Sequence, residues 1–129
     1  MTLTANDLIA DARTRVTQVS TIELQAEDTS DLVLIDVREP AEYAEGHLPG
    51  AINLPRGVLE FRIEAHPALA CQTSAALADR DRAIVLYCLS GGRSMLATDS
   101  LQRLGFTRLR SLTGGIAAWR EGGLPVTTD

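Results

Sequence analysis

The sequence predicts one α/β domain with an open, mostly parallel sheet that helices flank on both faces. Short apolar runs of strand length alternate along the chain with amphipathic segments of helical spacing. Two of the runs, residues 32–35 and 84–87, are uninterrupted, as expected for strands covered on both faces. The chain has 129 residues, of which 45% are hydrophobic, so we predict a single domain over residues 1–129.

The N-terminal part of the chain carries two helix signals. Apolar residues recur at helical spacing over residues 5–16, and Thr4 with Asp7 supplies the pair needed for a capping box. A second helix is predicted to open at Ser20, because Glu23 follows three positions later. We therefore treat residues 1–19 as an N-terminal helical extension and residues 20–126 as the core.

The core alternates strands with helical segments. In chain order they are strand 32–35, strand 51–54, a largely helical region 56–77, strand 84–87, helix 94–104, strand 109–112 and a helical turn or two at 116–120. Pro55 closes the second strand, His66 with Pro67 breaks the helical region, and Gly105 ends the long helix. This alternation predicts right-handed crossovers between parallel strands.

Composition excludes several classes of function. The net charge is −5, from 12 basic and 17 acidic residues, and every basic residue is arginine, which disfavours nucleic acid binding and removes lysine chemistry. Two cysteines make no disulfide framework, and the two histidines lack metal-ligand spacing. No signal peptide or bilayer-spanning run is recognisable, so we expect a cytoplasmic protein without membrane, metal or cofactor.

Ligands of parallel sheets bind outside the carboxyl ends of the strands, so the residues at those ends are the first candidates for a site. Four such segments are predicted to face one crevice: Asp36, Val37 and Arg38; Pro55 and Arg56; Cys88 onward; and Thr113, Gly114 and Gly115.

Residues 88–94, which we call the cysteine loop, carry the clearest chemistry. Cys88 stands between a buried strand and a helix, where the helix dipole and unpaired N–H groups favour its thiolate. Gly91 and Gly92 permit a backbone nest for an anion, Arg93 can add a positive charge, and Ser94 can cap the helix. The alternative is a buried cysteine followed by a tight turn.

The sequence resembles the rhodanese family of sulfurtransferases from about residue 21 to residue 126. Two stretches carry the resemblance: Ile35 to Arg38 with Glu42, Tyr43 and the run from Gly46 to Pro55; and the cysteine loop with Gly114, Gly115, Trp119 and the run from Gly123 to Val126. The family implies an open parallel sheet of five strands and a loop cysteine that carries sulfur. Four residues separate Cys88 from Arg93, as in the sulfurtransferases, whereas related phosphatases and arsenate reductases have five.

The resemblance implies double displacement at one sulfur. Cys88 takes a sulfane sulfur from a donor such as thiosulfate, and the resulting persulfide passes it to cyanide, a small thiol or a protein thiol. The predicted cradle for the anionic sulfur consists of Leu89, Ser90, Gly91, Gly92, Arg93 and Ser94. Arg56 and Arg62 are candidates for binding an anionic donor. The alternative is that both are surface arginines with no such role.

Several residues can be interpreted in two ways. Asp36 and Arg38 are expected to support the site, and Arg38 has Glu39 and Glu42 as possible partners that would brace the turn. His47, Tyr43 and Trp119 are predicted to have structural roles. Cys71 is predicted to be a small helix residue, with a resolving thiol as the alternative.

Two other functions stay open at this point. A persulfide-relay or protein-interaction module would receive sulfur from a partner and use free thiosulfate poorly. A redox-sensing domain would oxidise Cys88 without transferring sulfur.

Overall fold

Five strands in the described part of the chain pair in a wholly parallel sheet. The computed structural model describes residues 2–64 and 78–129, so Cys71 and the predicted helix break at His66 and Pro67 lie outside the described residues. The elements are α1 (Ala5–Arg13), β1 (Gln18–Val19), α2 (Thr21–Ala26), β2 (Val33–Asp36), α3 (Pro40–Glu45), β3 (Ile52–Asn53), a 3₁₀ turn (Arg56–Val58), α4 (Leu59–Ile63), β4 (Ile84–Tyr87), α5 (Gly92–Arg103), β5 (Leu109–Leu112) and α6 (Gly115–Glu121). The strand order is β1-β5-β4-β2-β3.

The two uninterrupted apolar runs are neighbours at the centre of the sheet. Strands β2 and β4 pair in parallel, with Val33 opposite Ile84 and Asp36 opposite Tyr87. Alternate residues of β4 point to opposite faces, and all four are buried. The α/β fold with helices on both faces is therefore confirmed.

Each face of the sheet has its own apolar core. Ile84 and Leu86 pack with residues of α4 and α5 on one face. Val85 and Tyr87 pack with residues of α2 and α6 on the other face. This two-sided burial explains why β4 and the first three residues of β2 form continuous hydrophobic runs.

The N-terminal extension contributes to the sheet as well as to the helical layer. Gln18–Val19 forms edge strand β1, which pairs in parallel with β5 and which the sequence pattern did not predict. Helix α1 and the residues just after it pack on α5 through Ala12, Val16 and Met95, and Arg15 pairs with Asp99 at 2.8 Å. The helix ends at Arg13 rather than continuing through the apolar stripe to residue 16.

Helix starts follow the predicted caps in two cases and differ in a third. Thr4 with Asp7 and Ser20 with Glu23 both form complete capping boxes. Helix α5 begins at Gly92, two residues before the predicted start at Ser94, because the left-handed Gly91 is its N-cap. Of the helices described, none is long and apolar enough to cross a membrane.

Candidate active site around Cys88

The cysteine loop turns back over the sulfur of Cys88. Cys88 follows β4 directly, and its Sγ accepts N–H groups of Gly91 at 3.1 Å and of Ser94 at 3.5 Å. The hydroxyl of Ser94 lies 3.6 Å from the same sulfur. Cys88 is 1% exposed, so the protein itself supplies most of the surroundings of its sulfur.

Gly91 gives the loop its shape. Its φ of 115° lies in the left-handed region that a side chain disfavours, and this turn aims the Gly91 N–H at the sulfur. The N–H groups of Ser90, Gly92 and Arg93 have no acceptor among residues 2–64 and 78–129. The N-terminus of the 12-residue α5 and the loop therefore present backbone donors within a few residues of Cys88, and two of them contact its sulfur.

The start of α6 holds the outer side of the loop. The N–H groups of Ile116 and Ala117 donate to the carbonyl oxygens of Cys88 and Leu89 at 2.9 and 3.0 Å. A β-carbon on Gly115 would lie 2.4 Å from the Cys88 oxygen, so only glycine fits there. Gly115 was predicted as part of a strand exit and of the family resemblance, with no contact to the loop, and the glycine pair was the signal for this contact.

Ser94 has a structural partner that the sequence analysis missed. Its Oγ lies 2.9 Å from the Oγ of Ser111 on β5 and 3.2 Å from the carbonyl oxygen of Gly91. Both serines are buried. Ser94 therefore does not cap α5 with its side chain, and nothing in the apolar pattern of β5 marked Ser111 as a neighbour of the site.

Arg93 forms an ion pair with Glu42 on α3. Its Nη1 and Nη2 donate to the two carboxylate oxygens of Glu42 on α3 at 2.8 and 3.1 Å. Hydrogen bonding from Arg93 lowers the pKa of Glu42 to about 2, and Glu42 raises the pKa of Arg93. Arg93 thus links the loop to α3. Glu42 compensates much of the positive charge that Arg93 was expected to bring to the sulfur.

Arg38 pairs with Asp36 and not with Glu39 or Glu42, so those two predicted partners were wrong. Both carboxylate oxygens of Asp36 accept from Arg38, the shortest bond being 2.7 Å, and Arg38 also donates to the Gly46 carbonyl. Both side chains are almost fully buried. Burial opposes the charge of Arg38, but Asp36 outweighs it and raises the pKa of Arg38. The pair braces the turn after β2.

Three further predicted residues have structural contacts. The rings of Tyr43 and His47 stack with centroids 3.7 Å apart, and the Tyr43 hydroxyl donates to the Ala51 carbonyl at 2.6 Å. The indole N–H of Trp119 donates to the Pro125 carbonyl at 2.7 Å. These contacts agree with the packing roles predicted for all three.

Arg56 and Arg62, the candidates for binding an anionic donor, lie after β3. Arg56 pairs with Glu60 one turn further along at 3.1 Å. It also lines a cavity with Arg15 and Asp99, between α1 and α5. Arg62 lies in α4. Binding of a donor by either arginine remains a prediction.

A cavity of about 300 Å³ adjoins the cysteine loop. Its lining comes from three parts of the chain: Asn6, Ile9 and Arg13 of α1; Ser90, Gly91, Gly92 and Met95 of the loop and α5; and Gln18 with Ser111 to Gly114 at the ends of β1 and β5. Helix α1, whose role the sequence did not reveal, is therefore one wall of a cavity beside the loop.

Comparison with known proteins gives consistent matches over most of the chain. A protein named sulfurtransferase from Allochromatium vinosum is 39% identical over 99 residues, which are 77% of this chain and 81% of that protein. Thiosulfate sulfurtransferase 16, chloroplastic, from Arabidopsis thaliana is 40% identical over 94 residues, 70% of this chain and 76% of that protein.

A solved structure matches nearly the whole chain. It is a protein of unknown function from Rhodopseudomonas palustris, described as a possible tyrosine phosphatase. Its TM-score is 0.83 at 29% identity, and the match covers 98% of this chain and 96% of that one. The family profile described as rhodanese-like domain matches residues 20–122. With most of the sequence matched and relatives at 39% and 40% identity, the chain belongs to the rhodanese-like domain family.

Proposed function

We propose that this protein is a sulfurtransferase that carries a sulfane sulfur as a persulfide on Cys88, with thiosulfate as a donor. The observation that carries the proposal is the surroundings of the sulfur. Two N–H groups point at Sγ, and further loop N–H groups near the start of α5 have no acceptor among the described residues. Such donors stabilise a thiolate and the terminal anionic sulfur of a persulfide.

Loading of the enzyme is one displacement at sulfur. The Cys88 thiolate attacks the outer sulfur of thiosulfate, a new sulfur–sulfur bond forms to Sγ, and the bond within thiosulfate breaks. Its electron pair leaves with sulfite, and the persulfide anion remains on Cys88. The backbone N–H groups of the loop then hold the negative charge on the terminal sulfur.

Discharge repeats the displacement with an acceptor as nucleophile. Cyanide, a small thiolate or a protein thiolate attacks the terminal sulfur, and the electron pair of the broken bond returns to Cys88 as thiolate. No redox partner is required, because each step exchanges one sulfur bond for another. The loop is ready for the next donor in the same charge state.

Phosphatase activity is the candidate that the description of the Rhodopseudomonas palustris protein suggests. Against it stands the size of the cysteine loop, since four residues between Cys88 and Arg93 make a small ring around the sulfur. Arg93 is also paired with Glu42 instead of lying open for a phosphoryl oxygen. We expect no hydrolysis of an aryl phosphate such as p-nitrophenyl phosphate, and hydrolysis that depends on Cys88 would favour the phosphatase.

A relay module that exchanges sulfur with a partner protein is the second candidate. Leu89, the residue after Cys88, is 49% exposed, which suits contact with another protein. Slow turnover of free thiosulfate together with rapid loading of Cys88 by a protein persulfide would favour the relay. Turnover of thiosulfate and cyanide without any partner favours the enzyme that we propose.

The test compares the two cysteines of the chain. Thiocyanate formation from thiosulfate and cyanide is measured for the unaltered protein, Cys88→Ser and Cys71→Ser. We expect Cys88→Ser to abolish the reaction and Cys71→Ser to keep most of it. Full activity of Cys88→Ser would overturn the proposal, and comparable losses in both variants would indicate a two-cysteine relay.

A further inference from the structure

Only one described neighbour of the Cys88 sulfur can accept a proton from it. The Gly91 and Ser94 N–H groups, at 3.1 and 3.5 Å, can only donate. The Ser94 hydroxyl, at 3.6 Å, both donates and accepts. Because Cys88 is 1% exposed, a proton that leaves Sγ has this hydroxyl as its first acceptor in the described protein.

From Ser94 the hydrogen bonds lead to a second buried hydroxyl. Ser94 Oγ contacts both the carbonyl oxygen of Gly91 and the Oγ of Ser111, the latter at 2.9 Å. A carbonyl oxygen accepts a hydrogen bond but has no proton to pass on, whereas a hydroxyl can take one proton and release another. The path therefore continues from Ser94 to Ser111, both of which are no more than 1% exposed.

Ser111 connects this path to a cavity. It lines the cavity of about 300 Å³ beside the cysteine loop, together with Arg13, Gln18 and Thr113. Arg13, Gln18 and Thr113 are exposed residues, so the cavity communicates with solvent. A polar cavity of this size holds water.

Charged and titratable side chains stand around the path without joining it. They are Arg93 with Glu42 on α3, Asp36 at the end of β2 with Arg38 after it, Tyr87 on β4 and Arg13 of α1 in the cavity. Within the described ranges, none of them hydrogen-bonds to Cys88 Sγ, Ser94 Oγ or Ser111 Oγ. The two hydroxyls are thus the connection between sulfur and cavity.

We propose that Ser111 is a positioning residue that, through Ser94, carries the proton between Cys88 and the cavity when the thiol is loaded with sulfur. The S–H bond of Cys88 breaks, its electron pair stays on sulfur, and its proton goes to Ser94 Oγ. The Ser94 hydroxyl turns from the Gly91 carbonyl oxygen to Ser111 and passes on its own proton, and Ser111 passes its own to a water molecule of the cavity. Afterwards Ser111 donates to Ser94, which leaves the Ser94 hydroxyl free to donate to the sulfur anion.

The role rests on the proposed function, because it serves the loading step. Overall, the neutral thiol and thiosulfate give the persulfide anion, sulfite and one proton, and that proton is the one that Ser111 releases to water. A thiol must lose its proton before its sulfur attacks thiosulfate, and a pH well above the ordinary thiol pKa of about 8.5 favours that loss without any path through the protein.

The test uses two variants of the same shape. Ser111→Thr keeps the hydroxyl and Ser111→Val replaces it by a methyl group, and both suit a β-strand. The rate of sulfur loading from thiosulfate is followed by mass in a single turnover at about pH 6.5 and about pH 9.5, on either side of the ordinary pKa of a free thiol. We expect Ser111→Thr to load like the unaltered protein at both values. At the lower pH, Ser111→Val should load about threefold to tenfold more slowly than the unaltered protein, a factor that corresponds to the free energy of one hydrogen bond. At the higher pH its rate should agree with that of the unaltered protein within about twofold.

Thr98→Val is the matched control. The Thr98 hydroxyl is buried and donates to the Ser94 carbonyl at 2.7 Å, but it is outside the path, so its removal should not change the ratio of the two rates. Equal losses at both pH values in Ser111→Val, or no loss at all, would overturn the proposal. Denaturant midpoints confirm that each variant is folded, and Ser111→Ala replaces Ser111→Val if the larger side chain prevents folding.

Alkylation of Cys88 by iodoacetamide separates this proposal from the proposed function. The same variants are alkylated at the same two pH values, since loss of the thiol proton also precedes alkylation. If the unaltered protein takes no sulfur from thiosulfate, the proposed function fails. The rate ratio of Ser111→Val to Ser111→Thr in alkylation still decides the role of Ser111, and a ratio that does not change with pH contradicts it.

Discussion

Gly115 lies so close to Cys88 that a β-carbon at Gly115 would be 2.4 Å from the Cys88 carbonyl oxygen. The same β-carbon would lie 2.5 Å from the Leu89 oxygen. The close approach allows the next two N–H groups of α6 to bond those two carbonyls. The loop that carries the sulfur is therefore seated on the start of α6, and its position depends on a residue without a side chain.

Gly115→Ala should displace the cysteine loop. Both oxygens in the clash belong to backbone, so the loop has to move, and we expect sulfur transfer to be largely lost. Gly123→Ala is the control, because Gly123 also has a positive φ, 71°, but nothing lies within 4 Å of its β-carbon position. Overpacking should make the loss in free energy of unfolding about 1–3 kcal/mol larger for Gly115→Ala. Equal effects of the two substitutions on activity and stability would show that the contact has no special role.

The Arg93–Glu42 pair should contribute more to the position of the loop than to overall stability. Their side chains are 39% and 33% exposed, and a pair with this much solvent contributes about 0–1 kcal/mol. A double-mutant cycle with Arg93→Ala and Glu42→Gln measures the coupling in unfolding and in kcat/KM. We expect the coupling in kcat/KM to exceed that in unfolding. If Glu42→Gln leaves kcat/KM unchanged while Arg93→Ala lowers it, Arg93 acts on the reacting sulfur directly.

Acid should weaken this pair. In the fold the pKa of Glu42 is lowered from 4.5 to about 2, so the folded state binds this proton less readily than the unfolded chain. The stabilisation is complete above the ordinary value and is lost as the pH falls from there to about 2. Urea midpoints across that range should fall less steeply in Glu42→Gln than in the unaltered protein. Identical pH profiles would contradict the assignment.

The buried pair of Asp36 and Arg38 should behave differently from the exposed one. Both side chains are almost inaccessible, so Arg38→Ala leaves a carboxylate buried without its partner. We expect a loss of about 3–5 kcal/mol in the free energy of unfolding, measured with denaturant. The double substitution Asp36→Asn with Arg38→Met should cost less than Arg38→Ala alone. A small effect of Arg38→Ala would mean that the turn after β2 does not depend on this brace.

Alkaline pH should destabilise the protein through Tyr87. Burial, and then the charge of Asp36, raise the pKa of Tyr87 above its ordinary value of 10.0. The group is neutral in both states below that value, and as the pH rises further the unfolded chain ionises first, so stability falls. Tyr87→Phe should remove much of this dependence, at the cost of the hydrogen bond from the Leu48 N–H. An unchanged alkaline profile in Tyr87→Phe would contradict this account.

The parts of the fold that follow local rules were predictable from sequence. The central strands β2 and β4 are apolar runs apart from Asp36 at the end of β2, and the helices at Ala5 and Thr21 begin with complete capping boxes. Strand β1 has two residues, Gln18 and Val19, and so has no period to detect. It exists because β5 offers an edge to pair with.

The same distinction between local and long-range contacts applies to the site. The position of Cys88 between a strand and a helix, and the need for Gly91 in the loop, follow from neighbouring residues. The pairing of Arg93 with Glu42 joins positions 51 residues apart, and that of Ser94 with Ser111 joins positions 17 apart. Such pairs depend on which strands and helices become neighbours, and the sequence alone left Glu42 equally available to Arg38.

The most direct test of the central claim is the mass of Cys88 after reaction with thiosulfate. The reduced protein is incubated with thiosulfate, freed of small molecules and analysed intact and as peptides, with Cys88→Ser treated in parallel. We predict a gain of one sulfur atom on the peptide that contains Cys88, which cyanide or a small thiol removes. A gain of oxygen instead of sulfur, or a sulfur that is found on Cys71 and persists in Cys88→Ser, would contradict the account.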